Sequence, residues 1–410
     1  MNRRERQRHE FALLATTGVY HTLDQWTRVL VPFTQWNLQP RVPMEGLMWL
    51  TTISTMFTLI GTLFVAQMID VFGLRKSALI SSIVITIYQL FISHFTNYYG
   101  YVIFQSLLMF NNMQMIIDAA ILNLEGEDGC DKKRTRLITK ILIPTSIGLA
   151  AGPYCALQMI FFVTPSLEIS QAVCAAIAVV TLLPLIWFFF PDTANTNKSL
   201  RPDINSYLDI MKNERAKWCT ILLMMVTGPY IAYDNIVRLS LAHTTIHDPQ
   251  SMHNLFLILG LTTTVVNVIF LPKLQEHFAP QHLLTASFGL LCCSYTYLAL
   301  FREYTHLLIG MPVQVVGATI CMGELSSQLM GTIGKNGAGK AAAVLRMSQL
   351  AAGMIVPFIT GTYFSTSDSS LWLCILSAAL SAFSILLVRK YGTFMQFNSS
   401  CLPSAFGKFD

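Results

Sequence analysis

Thr17-Gly18-Val19-Tyr20-His21-Thr22-Leu23-Asp24-Gln25-Trp26-Thr27-Arg28 recurs 210 residues further on as Thr227-Gly228-Pro229-Tyr230-Ile231-Ala232-Tyr233-Asp234-Asn235-Ile236-Val237-Arg238. Thr, Gly, Tyr, Asp and Arg stay in register with no gap, so the chain reads as a duplication. Each copy sets an acid and a base four residues apart, on one face of a helix. Both copies lie inside apolar runs, where an ionisable group is expensive and therefore a candidate functional residue.

Composition gives these runs their setting. Hydrophobic residues make up 53% of the 410 and charged residues 12%, about half the charge of a typical soluble domain. A polytopic membrane protein follows. The net charge of +5 is spread over short loops, so it reports topology and points to the lipid bilayer as partner rather than to nucleic acid. Most of the nine cysteines sit in apolar runs without metal-ligand spacing, which implies neither a metal, a cofactor nor a disulfide framework. The basic N-terminus leads into a run that lacks a small-residue cleavage site, so no removable signal peptide is expected.

Apolar runs of spanning length fall at 11–35, 46–69, 77–95, 98–122, 138–163, 170–190, 218–241, 254–272, 282–301, 305–331, 341–364 and 371–389, each near the ~20 residues a bilayer core demands. The expected fold is an all-α membrane protein of about twelve transmembrane helices in two pseudo-symmetric six-helix halves. The halves are 1–190 and 218–389, joined by a polar linker at 191–217 and followed by a tail at 390–410. With the N-terminus placed inside, all but Arg28, Arg41, Arg238 and Arg302 of the 27 basic residues fall on or near the cytoplasmic side. Both termini are therefore expected to be cytoplasmic, in the plasma membrane or an organelle membrane.

The duplication extends beyond its signature. Asp70 answers to Glu276, Asp118 to Glu324 and Lys140 to Arg346, each pair 206 residues apart. A parallel two-fold repeat of this kind belongs to a transporter architecture with its site near the midplane, between the halves.

Two motifs carry a resemblance. The turn Asp70-Val-Phe-Gly73-Leu-Arg75-Lys76 resembles the D-x-x-G-R-[RK] signature of the major facilitator superfamily, with Leu74 where that signature has Arg. Gly148-x-x-x-Gly152-Pro153 is similar to the antiporter G-x-x-x-G-P signature, with Ala156-Leu157 in place of its closing glycines. At the level of topology the resemblance covers essentially the whole chain. The sequence looks most like the organic-cation-transporter-like branch of solute carrier family 22, akin to tetracycline/proton antiporters. The resemblance implies that the turn latches the two halves and gates alternating access. It also implies that helices 1, 4, 7 and 10 line a central cavity.

Each of those four helices carries one acid: Asp24, Asp118, Asp234 and Glu324. Arg28 and Arg238 stand one turn from Asp24 and Asp234, so these pairs serve either the site or simple neutralisation. No base on the same helix is within reach of Asp118 or Glu324, which marks these two as candidates for a proton or cation site. His21, three residues before Asp24, is a possible relay or a satisfied intramembrane histidine. Asn111, Asn112 and Gln114 suit a wet cavity or interhelical hydrogen bonds. Gly334 to Ala341 almost spells a phosphate-binding loop. Ala341 lacks the hydroxyl that would hold magnesium and no strand precedes the loop, so no nucleotide is expected.

The expected activity is secondary transport of a small organic solute, an organic cation or neutral amphiphile, coupled to protons or another counter-ion. Helix 4 has no Arg, unlike related drug/proton antiporters, which leaves the coupling ion open. The alternative from another class is a non-transporting membrane scaffold or receptor. An enzyme is not expected, because no His-rich box or Ser/His/Asp grouping is present.

Overall fold

The computed structural model describes residues 3–124, 131–192, 209–244, 249–301, 303–332, 338–363 and 369–391. Across them the chain forms twelve helical rods: α1 Arg3–Trp36, α2 Met44–Phe72, α3 Leu74–Phe91, α4 Tyr98–Leu124, α5 Asp131–Gln158, α6 Leu167–Phe189, α7 Glu214–Thr244, α8 249–277, α9 Pro280–Leu300, α10 Tyr304–Thr332, α11 Ala338–Tyr363 and α12 Ser369–Tyr391. Ten of them contain a stretch long and apolar enough to cross a membrane. The two left out of the ten are α1 and α11, which carry Asp24 and Arg28, and Lys340 and Arg346, within their length. Most of the linker, the tail, and residues 333–337 of the loop resembling a phosphate-binding loop lie outside the described residues.

The packing repeats with the sequence. α1 packs on α5 as α7 packs on α11, α3 on α6 as α9 on α12, and α2 on α4 as α8 on α10. Two further seams join the first six rods to the last six, α2 with α11 and α5 with α8, and they are images of each other under the same exchange. Small residues let these seams close, as membrane helices require when lipid tails are as apolar as leucine. A side-chain carbon on Gly260 of α8 would lie 2.5 Å from the Cα of Ala150 on α5. Below it, Asn267 of α8 donates to the hydroxyl of Ser146 on α5 at 2.6 Å.

α2 and α3 are one run of helix interrupted at Gly73, which takes φ 85° and ψ 168°. That left-handed φ favours glycine over any residue with a Cβ. The Gly73 amide still donates to the Ile69 carbonyl at 3.0 Å, and the Ser77 hydroxyl closes back on the Gly73 carbonyl at 2.8 Å. Arg75 donates from Nε to the Phe190 carbonyl beyond α6 at 2.9 Å, tying the turn to the neighbouring rod. Lys76 is exposed and Asp70 half-buried.

The sequence predicts one continuous helix 4, but α4 is broken midway. A 3₁₀ segment, Gln105–Phe110, precedes two non-helical residues, Asn111 and Asn112. Gly61 on α2 explains why the break is tolerated, because a Cβ there would fall 1.8 Å from the Met109 carbonyl oxygen. Backbone thus packs on backbone. Inside a membrane the freed polar groups need partners, and the Asn112 side chain supplies them. It donates to the Met109 carbonyl at 3.1 Å and the Thr58 carbonyl at 3.2 Å, and accepts from the Thr62 hydroxyl at 3.0 Å.

Candidate functional site

Where α5 crosses α1, Gly148 and Gly152 remove all side-chain bulk from the contact. A Cβ on Gly148 would meet His21 Cβ at 2.7 Å, and one on Gly152 would meet the Thr22 carbonyl oxygen at 2.4 Å. The glycines of the helix 5 motif, with buried Pro153 beside them, therefore set the depth and rotation of the stretch of α1 that carries His21 and Asp24. The other side of this stretch of α1 faces α4 just past its break.

Two hydrogen-bonded chains cross that second interface. Arg28 Nε pairs with Asp24 Oδ2 at 2.8 Å, Asn111 donates to Asp24 Oδ1 at 3.4 Å, and the Tyr20 hydroxyl donates to Asn111 Oδ1 at 2.8 Å. One turn nearer the N-terminal face, His21 Nε2 meets Gln114 Oε1 at 2.7 Å, and Gln114 Nε2 donates to Asp118 Oδ1 at 2.9 Å. Of the polar cluster on α4, Asn112 is thus spent on holding the break, while Asn111 and Gln114 serve the site. Asp24 is 9% exposed and Arg28 52%, although α1 is enclosed by α4, α5, α6 and α7. Arg28 therefore marks the side on which the site meets open space.

The other half adds charge to the same place. Asp234 on α7 lies within electrostatic range of Arg28. Arg346 on α11 lies within range of Tyr20, Asp24, Arg28 and Asp118, and its Nε is buried with no hydrogen-bond partner among the described residues. Sequence reasoning placed Arg346 with the basic residues of the cytoplasmic side. Eight residues into α11, about 12 Å along a helix, it also reaches in between the halves, with its Nε buried beside the site. Its repeat partner Lys140 does lie at a rim, half exposed, 3.6 Å from Glu10. A 206-residue register relates the two positions but not their environments.

Glu324 stands apart from this group. It is 2% exposed and takes hydrogen bonds from Gln328 Nε2 at 2.9 Å and from Gln275 Nε2 on α8 at 3.3 Å. These bonds bind the lower parts of α8 and α10 together rather than lining a shared space with Asp118. The expected grouping of four acids thus becomes Asp24, Asp118 and Asp234 together, with Glu324 in a pocket of its own. Arg238 lies on α7, and its side chain is outside the described residues.

The model of the Major Facilitator Superfamily matches residues 22–357. Among solved structures the chain is similar to the human organic anion transporter MFSD10 (TETRAN), with a TM-score of 0.75 at 13% identity, over 93% of this chain and 99% of that one. It is also similar to the E. coli Fucose:proton symporter FucP, with a TM-score of 0.66 at 12% identity, over 95% of this chain and 98% of that one. A structure of FucP in the outward conformation gives a TM-score of 0.67 at 12% identity, over 95% of this chain and 99% of that one. At such identities the likeness is one of fold. No curated protein matches the sequence.

Proposed function

The chain belongs to the major facilitator superfamily, and from that premise we propose that it carries a small organic solute across a membrane by alternating access, in exchange for protons. The observation that carries this reading is Asp118. It is a buried carboxylate whose hydrogen bond comes from the neutral amide of Gln114, with no ion pair among the described residues. Such a group is available to a cation or a proton in a way that Asp24, already held by Arg28, is not. The acids of the site, Asp24, Asp118 and Asp234, outnumber Arg28 and Arg346 among the described side chains. The solute is accordingly an organic cation or a neutral amphiphile. The turn and the helix 5 motif favour the organic-cation-transporter-like branch of solute carrier family 22.

On this reading the two six-helix halves, 1–190 and 218–389, rock about the linker 191–217. The face bearing the N-terminus, with its clustered Arg and Lys, is the cytoplasmic one. Asp70, Gly73, Arg75 and Lys76 form the gating turn on that face.

One observation favours a second reading. The unpartnered Nε of Arg346 would welcome an acceptor-rich or anionic solute, and the human neighbour MFSD10 is an organic anion transporter. Uptake of fluorescent organic cations and anions into proteoliposomes under an imposed pH gradient separates the two. Cation uptake that the gradient accelerates, and that Asp118→Asn abolishes, upholds the first. Anion uptake lost in Arg346→Gln replaces it with the second. Well-folded protein that moves neither class under any gradient is a scaffold or receptor, and the transport reading falls.

A further inference from the structure

We infer that His21, rather than a carboxylate, is the residue that takes up the coupling proton, and that it does so at Nδ1; this deepens the transport reading and rests on it. Each partner in the chain His21–Gln114–Asp118 has a fixed set of donors and acceptors. A carboxylate only accepts hydrogen bonds, so Gln114 turns its Nε2 to Asp118, at 2.9 Å. That leaves the Gln114 carbonyl oxygen facing His21, and a carbonyl also only accepts. His21 Nε2, 2.7 Å away, must therefore carry the hydrogen. In a neutral ring the lone pair then sits on Nδ1.

Nδ1 makes no hydrogen bond among the described residues, and it is not among the atoms closed off from solvent. The ring is half-buried, held from behind by the Gly148 seam and edge-on to Tyr20 with ring centroids 5.1 Å apart. A proton arriving through the open space beside Arg28 binds the Nδ1 lone pair and disturbs no existing bond. The product is an imidazolium joined to the Asp118 carboxylate through one amide, and return of the proton to water restores the start.

The surroundings decide what that proton does. Around the ring lie Tyr20, Asp24 and Arg28 on its own helix, Asp118 on α4 by way of Gln114, Arg346 on α11, and Asp234 on α7 within range of Arg28; Gly148 is its contact on α5. Counted with Asp234, the three carboxylates exceed the two guanidiniums by one. A proton on His21 therefore cancels the net negative charge of this group, and a cationic solute loses its attraction to the Asp118 end. Proton and cation then exclude one another while keeping separate binding atoms, which is the requirement for exchange. A purely structural histidine would make the same Nε2–H bond and never titrate.

His21→Gln tests this, because it keeps an N–H donor for Gln114 and removes the lone pair. In proteoliposomes the ratio of cation uptake with a pH gradient to uptake without one should fall to unity in the variant. A ratio that stays as high as in wild type overturns the proposal. A second measurement stands even if the variant does not fold or if no solute moves. In ¹⁵N-histidine-labelled wild type in lipid nanodiscs, the His21 ring should be the Nε2–H tautomer at high pH and titrate as pH falls. Its midpoint should move by about one pH unit or more in Asp118→Asn, as for coupled groups. A His21 signal that never titrates, or one indifferent to Asp118, sinks the inference while leaving the transport reading to its own test.

Discussion

Asp24 and Arg28 form an ion pair whose two members live in different media. The carboxylate is nearly closed off, while the guanidinium is half exposed. Removing Arg28 strands a buried charge, whereas removing Asp24 frees a cation that water already reaches. Arg28→Met should therefore destabilise the protein by roughly 1–3 kcal/mol, and Asp24→Asn by distinctly less. Restoring stability in the double variant would show that the loss comes from the stranded carboxylate. Thermal unfolding in one detergent reads all three, and equal losses for the two single variants would refute the asymmetry. This pair was legible from a four-residue spacing, since an i,i+4 contact needs nothing but a helix. Arg346 was not legible, because a lone Arg near a predicted helix end looks the same as one that marks topology. Only the packing of α11 against the first half places it beside Asp118.

Elements hold these residues through contacts between backbones, and that is where small changes should tell most. At Gly73 any Cβ must be carried at φ 85° and ψ 168°, a region essentially reserved for glycine that costs about 1–3 kcal/mol. Gly73→Ala should lower the melting temperature modestly. If the turn latches the halves, it should impair solute movement by far more than that loss of stability explains. Transport that tracks stability alone would reduce the turn to a connector.

Gly152→Ala makes a sharper case, since the new methyl would stand 2.4 Å from the Thr22 carbonyl oxygen. α1 and α5 must move apart, at roughly 1–3 kcal/mol for an overpacked contact, and His21 loses its distance to Gln114. The expected result is folded protein with little uptake, and wild-type uptake would show that the seam does not position the site. Both glycine motifs were visible as motifs. The break in α4 was hidden, because Asn111-Asn112 in an apolar run has no signature apart from the Gly61 that packs against it some fifty residues earlier.

At the scale of the whole molecule the repeat in sequence becomes a repeat in packing, and the differences between the copies set the conformation. Toward the N-terminal face, Ala341, Ala342 and Ala343 of α11 are wholly buried, as are Met115, Ile116, Ile117, Ala119 and Ala120 of α4, and the two rods pack together. Three consecutive alanines let the helices approach closely, with only methyl groups on the α11 side of the contact. This contact forms a closed floor on the N-terminal side of Asp118. The opposite side is where Arg28 meets open space. Alternating access requires a second state in which this floor opens. Ala342→Cys should then be inert to a thiol reagent while the chain holds the arrangement seen here. It should become reactive, from the N-terminal face, when transported solute is supplied and the halves cycle. Cys219, also wholly buried within the second half, should stay unreactive throughout and so serves as the internal control. Labelling of position 342 that solute does not change would mean that the seal is permanent. The protein would then be a closed member of its family rather than a working carrier.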